Sequence, residues 1–113
     1  MRVLVCGGRD YAKCSFVWDT LDNLEEIPSI VISGGASGAD NFAMLWALRN
    51  NIPHEEYKAD WNNHGKQAGF IRNKLMLDKG KPDMVIAFPG GRGTSDMVSR
   101  SIEAGVHTEV INE

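Results

Sequence analysis

The stretch Val85-Ile86-Ala87-Phe88-Pro89-Gly90-Gly91-Arg92-Gly93-Thr94-Ser95-Asp96-Met97 admits few conformations. A short apolar run stops at Pro-Gly-Gly, one Arg and one more Gly follow, and two hydroxyl residues able to cap a helix come next. The pattern reads as strand, glycine loop and helix N-terminus. Free backbone N–H groups and the positive end of the helix dipole make such a unit an anion site. Glycine lets an anionic group approach the backbone, because no Cβ stands in the way. Thr94 and Ser95 add hydroxyl donors. Alone, a glycine-rich turn is a weak signal. It gains weight from a second loop, Ser33-Gly34-Gly35-Ala36-Ser37-Gly38-Ala39-Asp40, and a third turn, Gly7-Gly8-Arg9-Asp10.

Each of these loops follows an apolar run. Residues 2–6, 29–33 and 83–88 are continuously apolar or nearly so, as strands covered on both faces must be. Helical patterns fill the intervals. The first runs over about 15–26, with Val17, Leu21 and Leu24 on one face and Pro28 as its stop. A second, over about 39–50, carries Phe42, Leu45, Trp46 and Leu48 toward the core. Residues 54–58 are a weaker third strand, and the polar segment 59–69 leads into a helix of about 66–79. Ala68, Ile71 and Leu75 are expected to face the sheet there, with Arg72 beside them. A last helix spans about 94–104, with Val98 and Ile102 as its core pair and Gly105 as a left-handed stop. The strand of 106–111 closes the chain, an amphipathic candidate for a sheet edge. The alternation is βαβαβαβαβ. It predicts an α/β domain: a five-stranded, mainly parallel sheet with helices on both faces and right-handed connections.

In such a sheet every loop that follows a strand lies at the carboxyl edge, where ligands bind at the point of strand-order reversal. The three glycine turns and the segment around Asp60 therefore converge, and the expected ligand is a phosphate or diphosphate. Arg9, Arg72 and Arg92 are the cations for it. Trp61, and after it Tyr11, could stack on a base, a core or hinge role being the alternative for Trp61. Asp10, Asp40 and Asp60 each follow a strand. Any of them could accept from a ribose hydroxyl or hold Mg²⁺ through water, and helix capping is the preferred reading for Asp40.

With 113 residues the chain suits one domain, 1–113. Its net charge of −3 argues against a broad nucleic-acid footprint, which needs a basic face. No run approaches the ~20 apolar residues that span a bilayer, and no leader opens the chain, so a cytoplasmic protein without a membrane partner is expected. Cys6 and Cys14 form neither a disulfide framework nor a metal pair, and Cys6 reads as a small core residue. His54, His64 and His107 show no metal spacing. Both glycine loops lack the Lys of a P-loop, and the first turn lacks the full dinucleotide fingerprint.

Several motifs in order carry a resemblance that runs nearly end to end. They are Gly8-Arg9-Asp10, Gly34-Gly35-Ala36-Ser37-Gly38-Ala39-Asp40, Trp46-Ala47, Ala59-Asp60-Trp61, Gly65-Lys66 with Ala68-Gly69, Ile71-Arg72-Asn73 with Met76, and Phe88-Pro89-Gly90-Gly91-Arg92-Gly93-Thr94. The chain resembles the SLOG superfamily of Rossmann-like nucleotide-binding domains, and within it the small stand-alone branch named YspA, cpYpsA-related. The resemblance implies a cytoplasmic module that binds a nucleotide or an ADP-ribose-like ligand, as sensor or sequestering protein, and admits a homo-oligomer. The ligand contacts it suggests are Gly8, Arg9, Asp10, Ser33, Gly34, Gly35, Ala36, Asp40, Asp60, Trp61, Arg72, Asn73, Pro89, Gly90, Gly91, Arg92, Gly93 and Thr94. No resident metal is implied, Mg²⁺ entering only with a bound nucleotide.

The superfamily also contains the LOG phosphoribohydrolases, whose pattern pairs an Arg with the Glu of P-G-G-x-G-T-x-x-E. Arg72 matches the Arg, but Met97 stands at the Glu position, and methionine cannot serve as an acid or base. Asp96 lies about 100° away around a helix. Should the chain instead be a nucleotide-processing hydrolase cleaving an N-glycosidic or phosphate bond, Arg72 and Asp96 are the candidates, with Asp10 and Asp60 as the alternative working carboxylates. A DprA-like nucleic-acid accessory is a third reading, opposed by the acidic balance.

Overall fold

In the computed structural model, which describes residues 1–113, five parallel strands form one sheet in the order β3-β2-β1-β4-β5. The strands are β1 (Arg2–Cys6), β2 (Ile30–Ser33), β3 (His54–Glu56), β4 (Met84–Ala87) and β5 (His107–Val110). Register is continuous: Val3 sits between Val31 and Met84, and Leu4 between Ile32 and Val85. The sheet grows leftward from β1 and rightward from β4, so β1 and β4 flank the reversal of strand order in this Rossmann-like domain.

Alternation along the strands divides the core in two. Val3, Val5, Val31, Met84, Ile86 and Phe88 meet α1 (Cys14–Asp22) and α2 (Ala39–Arg49) on one face. Leu4, Cys6, Ile32, Val85 and Ala87 meet Met76 of α4 (Ala68–Gly80) and Met97 of α5 (Arg92–Glu103) on the other. Each large apolar side chain so buried contributes about 1.5–3 kcal/mol. Polar ties fix the helix pair on the first face: the Trp18 indole donates to the Phe42 carbonyl (2.9 Å), and the Trp46 indole donates to Asp22 (2.8 Å). No helix is long and apolar enough to cross a membrane.

α1 buries Val17 and Leu21 as expected, and the other helices differ in part from the sequence expectation in which stripe they bury. In α2, Trp46 is buried as expected and Phe42 partly so, but Leu45 and Leu48 are exposed while Ala43 and Ala47 face the sheet. In α4, Ile71 and Leu75 are exposed, and Ala68, Gly69, Asn73, Met76 and Gly80 form the buried stripe. In α5 the fully buried pair is Met97 and Ser101; Val98 packs on the core at partial burial, whereas Ile102 is 62% exposed. Ser101 is tolerated there because its hydroxyl donates to the Met97 carbonyl one turn back (2.7 Å).

Boundaries moved for local reasons. The first helix stops at Asp22, where the Asn23 amide donates to the Asp19 carbonyl, yet Leu24 still packs on the core. The segment after β3 holds one helical turn, α3 (Trp61–His64), and a 3₁₀ turn over Gly65–Gln67. α5 begins two residues earlier than expected, at Arg92, so Thr94 and Ser95 lie inside its first turn rather than at its cap, which is Gly91. Gly105 adopts φ of +75° beyond α5 as the sequence predicts.

Candidate functional site

Three loops meet over the carboxyl ends of β1 and β4, and the Gly8 peptide is their common contact. Its N–H donates to the Pro89 carbonyl (2.9 Å), while its own carbonyl accepts from Tyr11 (3.2 Å) and from Ala39 at the start of α2 (3.4 Å). Packing is backbone on backbone. A Cβ at Gly90 would come within 2.6 Å of the Gly8 nitrogen, and one at Gly38 would collide with the Gly8 carbonyl oxygen and lie 2.7 Å from that of Arg9. Gly38 also holds φ of +73°. Much of the glycine content is thus what lets three loops share one small volume.

Beside this junction lies a cleft of about 680 Å³. It gathers Gly8, Arg9, Asp10, Ala36, Asp40, Arg72, Asn73, Pro89, Gly90, Gly91, Arg92, Gly93 and Thr94 of the candidates named from sequence. Its floor adds Cys6, Gly7, Tyr11 and Met76. Cys6 is both a buried core thiol and part of the lining, because it is the last residue of β1. Burial pushes that thiol far above the ordinary cysteine range. Tyr11 rests its ring on Phe88, with centroids 5.6 Å apart, and donates its hydroxyl to the Glu113 carbonyl (2.7 Å).

The first turn of α5 forms one wall. Ser95 is the first residue whose N–H turns back, to the Gly91 carbonyl (3.0 Å). The N–H groups of Arg92, Gly93 and Thr94 precede it and have no acceptor within the helix. Asn73, only 2% exposed, anchors this turn by donating its amide to the Gly93 carbonyl (3.0 Å) and to Asp96 (3.1 Å). Arg72 crosses from α4 to the β2 loop, donating Nη1 to the Gly34 carbonyl (2.9 Å) and Nε to Asn73 (3.0 Å). Arg9, Arg72 and Arg92 form no ion pair with any carboxylate. Three guanidiniums thus share the lining with two carboxylates, Asp10 and Asp40.

Asp40 is not the helix cap that the sequence suggested. Gly38 is the cap of α2, and the Asp40 carboxylate, from within the first turn, bends back to accept from the Ala36 N–H (3.2 Å). The residue is 5% exposed, and its Oδ1 has no partner in the chain. Burial raises its pKa to about 6, with a smaller push from the Glu56 charge and against the opposing pull of the Ala36 N–H, the Arg72 charge and the nearby Gly34 N–H.

Six candidates lie outside the lining. Ser33 is fully buried and bonds His54 (2.9 Å). Gly34 contributes its carbonyl to Arg72 instead, and Gly35 turns at φ of +73° against Glu56. Asp60 caps α3, accepting from the Asn63 N–H (3.2 Å) and side-chain amide (2.7 Å), bonds that hold its pKa below the usual carboxylate value. Trp61 is 52% exposed and leans over Gly69 near Arg72, at the rim. Asp96 sits behind the α5 turn, between Asn73 and Arg100, with a 2.8 Å bond to the latter. Met97 points wholly into the core, away from the cleft. No group of three or more His, Cys, Asp or Glu side chains is placed to hold a metal.

Residues 1–64 match the sequence model of the YspA, cpYpsA-related SLOG family. Over 115 aligned positions the chain is 41% identical to the gene 61 protein of Mycobacterium phage D29, an alignment that covers 93% of this chain and 91% of that protein.

Proposed function

The chain belongs to the YspA, cpYpsA-related SLOG family, and from that premise we propose that its cleft binds a phosphorylated nucleotide derivative, a nucleotide or an ADP-ribose-like molecule, as a sensor or sequestering module. Family membership supports a nucleotide-related role. The observation that carries the finer reading concerns Gly91 and Gly93. Both lie in the cleft, neither has a positive φ, and nothing stands within 4 Å of where a Cβ would be. Packing asks for glycine at neither position, and at Gly93, inside the helix, backbone geometry does not either. Close approach of a ligand to the α5 backbone does. Phosphate oxygens accept from the N–H groups of Arg92, Gly93 and Thr94, and Arg9, Arg72 and Arg92 supply neutralising charge. Trp61 offers a π face at the rim for a base, and Mg²⁺ enters, where it does, with the phosphates. Two unpaired thiols, Cys6 and Cys14, agree with a reducing cytoplasmic setting.

Hydrolysis of the ligand is the second reading. One observation favours it: Asp40 lines the cleft with a pKa of about 6, suited to proton transfer near neutral pH. Against it stands Met97, whose side chain is fully buried in the core. Asp96, the carboxylate beside it, is already held by Asn73 and Arg100.

A thermal-shift series with nucleotides, ADP-ribose and pyrophosphate, followed by chromatography of each mixture, tests both readings. A ligand at 100 times its Kd adds about 2.7 kcal/mol to stability. Recovery of intact ligand after a shift supports binding without turnover, and a released base or ribose phosphate supports the hydrolase. No shift with any phosphorylated ligand overturns the proposal.

A further inference from the structure

We propose that Asp40 is the residue that selects the ligand's sugar, accepting a hydrogen bond from a ribose hydroxyl through Oδ1. This rests on the reading of the cleft as a nucleotide site. Asp40 is 5% exposed, and its Oδ1 makes no hydrogen bond of normal geometry, although the Gly34 N–H stands near the carboxylate and the sister oxygen is satisfied by the Ala36 N–H. A buried carboxylate oxygen without a partner is a costly feature to keep in a fold. It lies among the cleft-lining residues, so a bound molecule can supply the missing donor.

The neighbourhood restricts what that donor is. The Arg72 guanidinium already acts on the Asp40 charge, and Arg9 and Arg92 share the cleft. Asp10 in the lining and Glu56 beside Asp40 offset part of this charge, and the balance of three guanidiniums favours a neutral O–H or N–H over a cationic ligand group. The distance from the phosphate wall decides between them. Arg72 touches the Gly34 carbonyl on the Asp40 side and Asn73 on the other, and Asn73 holds the Gly93 carbonyl. Two side chains therefore separate the α5 turn from the Asp40 loop. In any nucleotide the group covalently next to the phosphate is the sugar, and its hydroxyls are neutral donors. In the ligand-free chain Oδ1 is closed to bulk water. Arg72, anchored to the Gly34 carbonyl and the Asn73 amide oxygen, is the charged side chain that acts on Asp40 from this side, and its shift onto a phosphate is the movement the proposal requires.

The test compares ribose 5-phosphate, methyl phosphate and pyrophosphate on the wild-type chain and on Asp40→Asn by titration calorimetry. A simple charge effect makes every anion bind D40N more tightly, since a negative charge has left the cleft. Hydroxyl recognition makes ribose 5-phosphate bind D40N about 10-fold more weakly, the scale of a charged hydrogen bond, while pyrophosphate binds as well or better. Equal or tighter binding of all three probes to D40N overturns the assignment and leaves the phosphate cleft standing. Failure of every probe on the wild-type chain overturns both. Should D40N not fold, the wild-type comparison decides: ribose 5-phosphate binds about 10-fold tighter than methyl phosphate, and equal affinities refute the role.

Discussion

Replacing Gly93 by Ala separates the needs of the fold from those of the ligand. Gly93 is the second residue of α5. Its backbone is in a region open to any L-residue, and a methyl group there meets no atom within 4 Å. The bonds around it are unaffected, since the Asn73 amide reaches its carbonyl. Glycine inside a helix costs about 0.5–1 kcal/mol relative to alanine, so G93A is expected to stabilise the ligand-free chain by up to that amount. For a domain of this size the gain corresponds to a rise in Tm of about 2–6 °C. The same methyl group projects into the cleft beside the free N–H groups. Accommodating it moves a phosphate out of hydrogen-bond range of the α5 turn, and losing two charge-assisted bonds at about 1.5–3 kcal/mol each lowers affinity by 100-fold or more. Urea melts and calorimetric titration with ADP-ribose or pyrophosphate read the two effects independently. A variant more stable than wild type that no longer binds is the expected result. Unchanged affinity in a well-folded G93A would refute the placement of phosphate over α5, and a destabilised variant would refute the claim that the space is open.

Further expectations follow from the loop junction, the buried carboxylate and the core. Gly38→Ala places a Cβ against two backbone carbonyls at φ of +73°, and should cost about 2–4 kcal/mol in denaturant melts; a loss under 0.5 kcal/mol would mean that the loops part easily. The pKa of Asp40 rises from 3.8 to about 6 on folding, so its ionisation opposes the fold, and the opposition grows as pH rises through that window. The penalty is about 3 kcal/mol at neutral pH and about 1 kcal/mol near pH 4.5. Asp40→Asn should therefore gain stability over wild type by about 2 kcal/mol more at pH 7.5 than at pH 4.5. The subtraction removes His54, whose pKa burial lowers and whose protonation opposes the fold as pH falls; a pH-independent difference would contradict the assignment. Met97→Glu, which restores the hydrolase-type residue, buries a carboxylate at a fully enclosed position. It should lose about 4 kcal/mol or more and gain no turnover, and a stable variant with phosphoribohydrolase activity would show that α5 can rotate.

Strands and loops were legible in the sequence because each is announced by local chemistry. Continuous β-branched runs such as Ile30-Val31-Ile32 have one stable use, a strand covered on both faces, and the glycines after them mark where each strand ends. Once the strands are parallel, convergence of the loops follows from topology alone. Helix facing was legible in α1, where Val17 and Leu21 are buried as expected, but only in part in the other helices, because it is decided by how near the helix lies to the sheet. α2 and α4 approach through Ala43, Ala47, Gly69 and Gly80, small residues that leave little trace in an apolar pattern, while the larger Leu45, Leu48, Ile71 and Leu75 fall at the margins. In α5 the buried stripe includes Ser101, and in α4 it includes Asn73; both look like solvent-facing positions until their internal bonds are known.

The same limit separates the cleft from its surroundings. Asp40 and Asp60 both follow strands within polar, glycine-containing segments, and nothing in the one-dimensional pattern distinguishes a cap from an enclosed carboxylate. The difference arises from chain length after the strand. β3 runs on through four residues, Tyr57 to Asp60, before its helical turn, which carries Asp60 out to the rim, where Asn63 satisfies it. The β2 loop instead folds tightly through two positive-φ glycines, Gly35 and Gly38, over the Gly8 peptide, and draws Asp40 inward with one oxygen left unbonded. The glycines that close the junction and the carboxylate that waits for a donor are thus products of one compact turn. Loosening that turn should free the carboxylate and abolish the selectivity together.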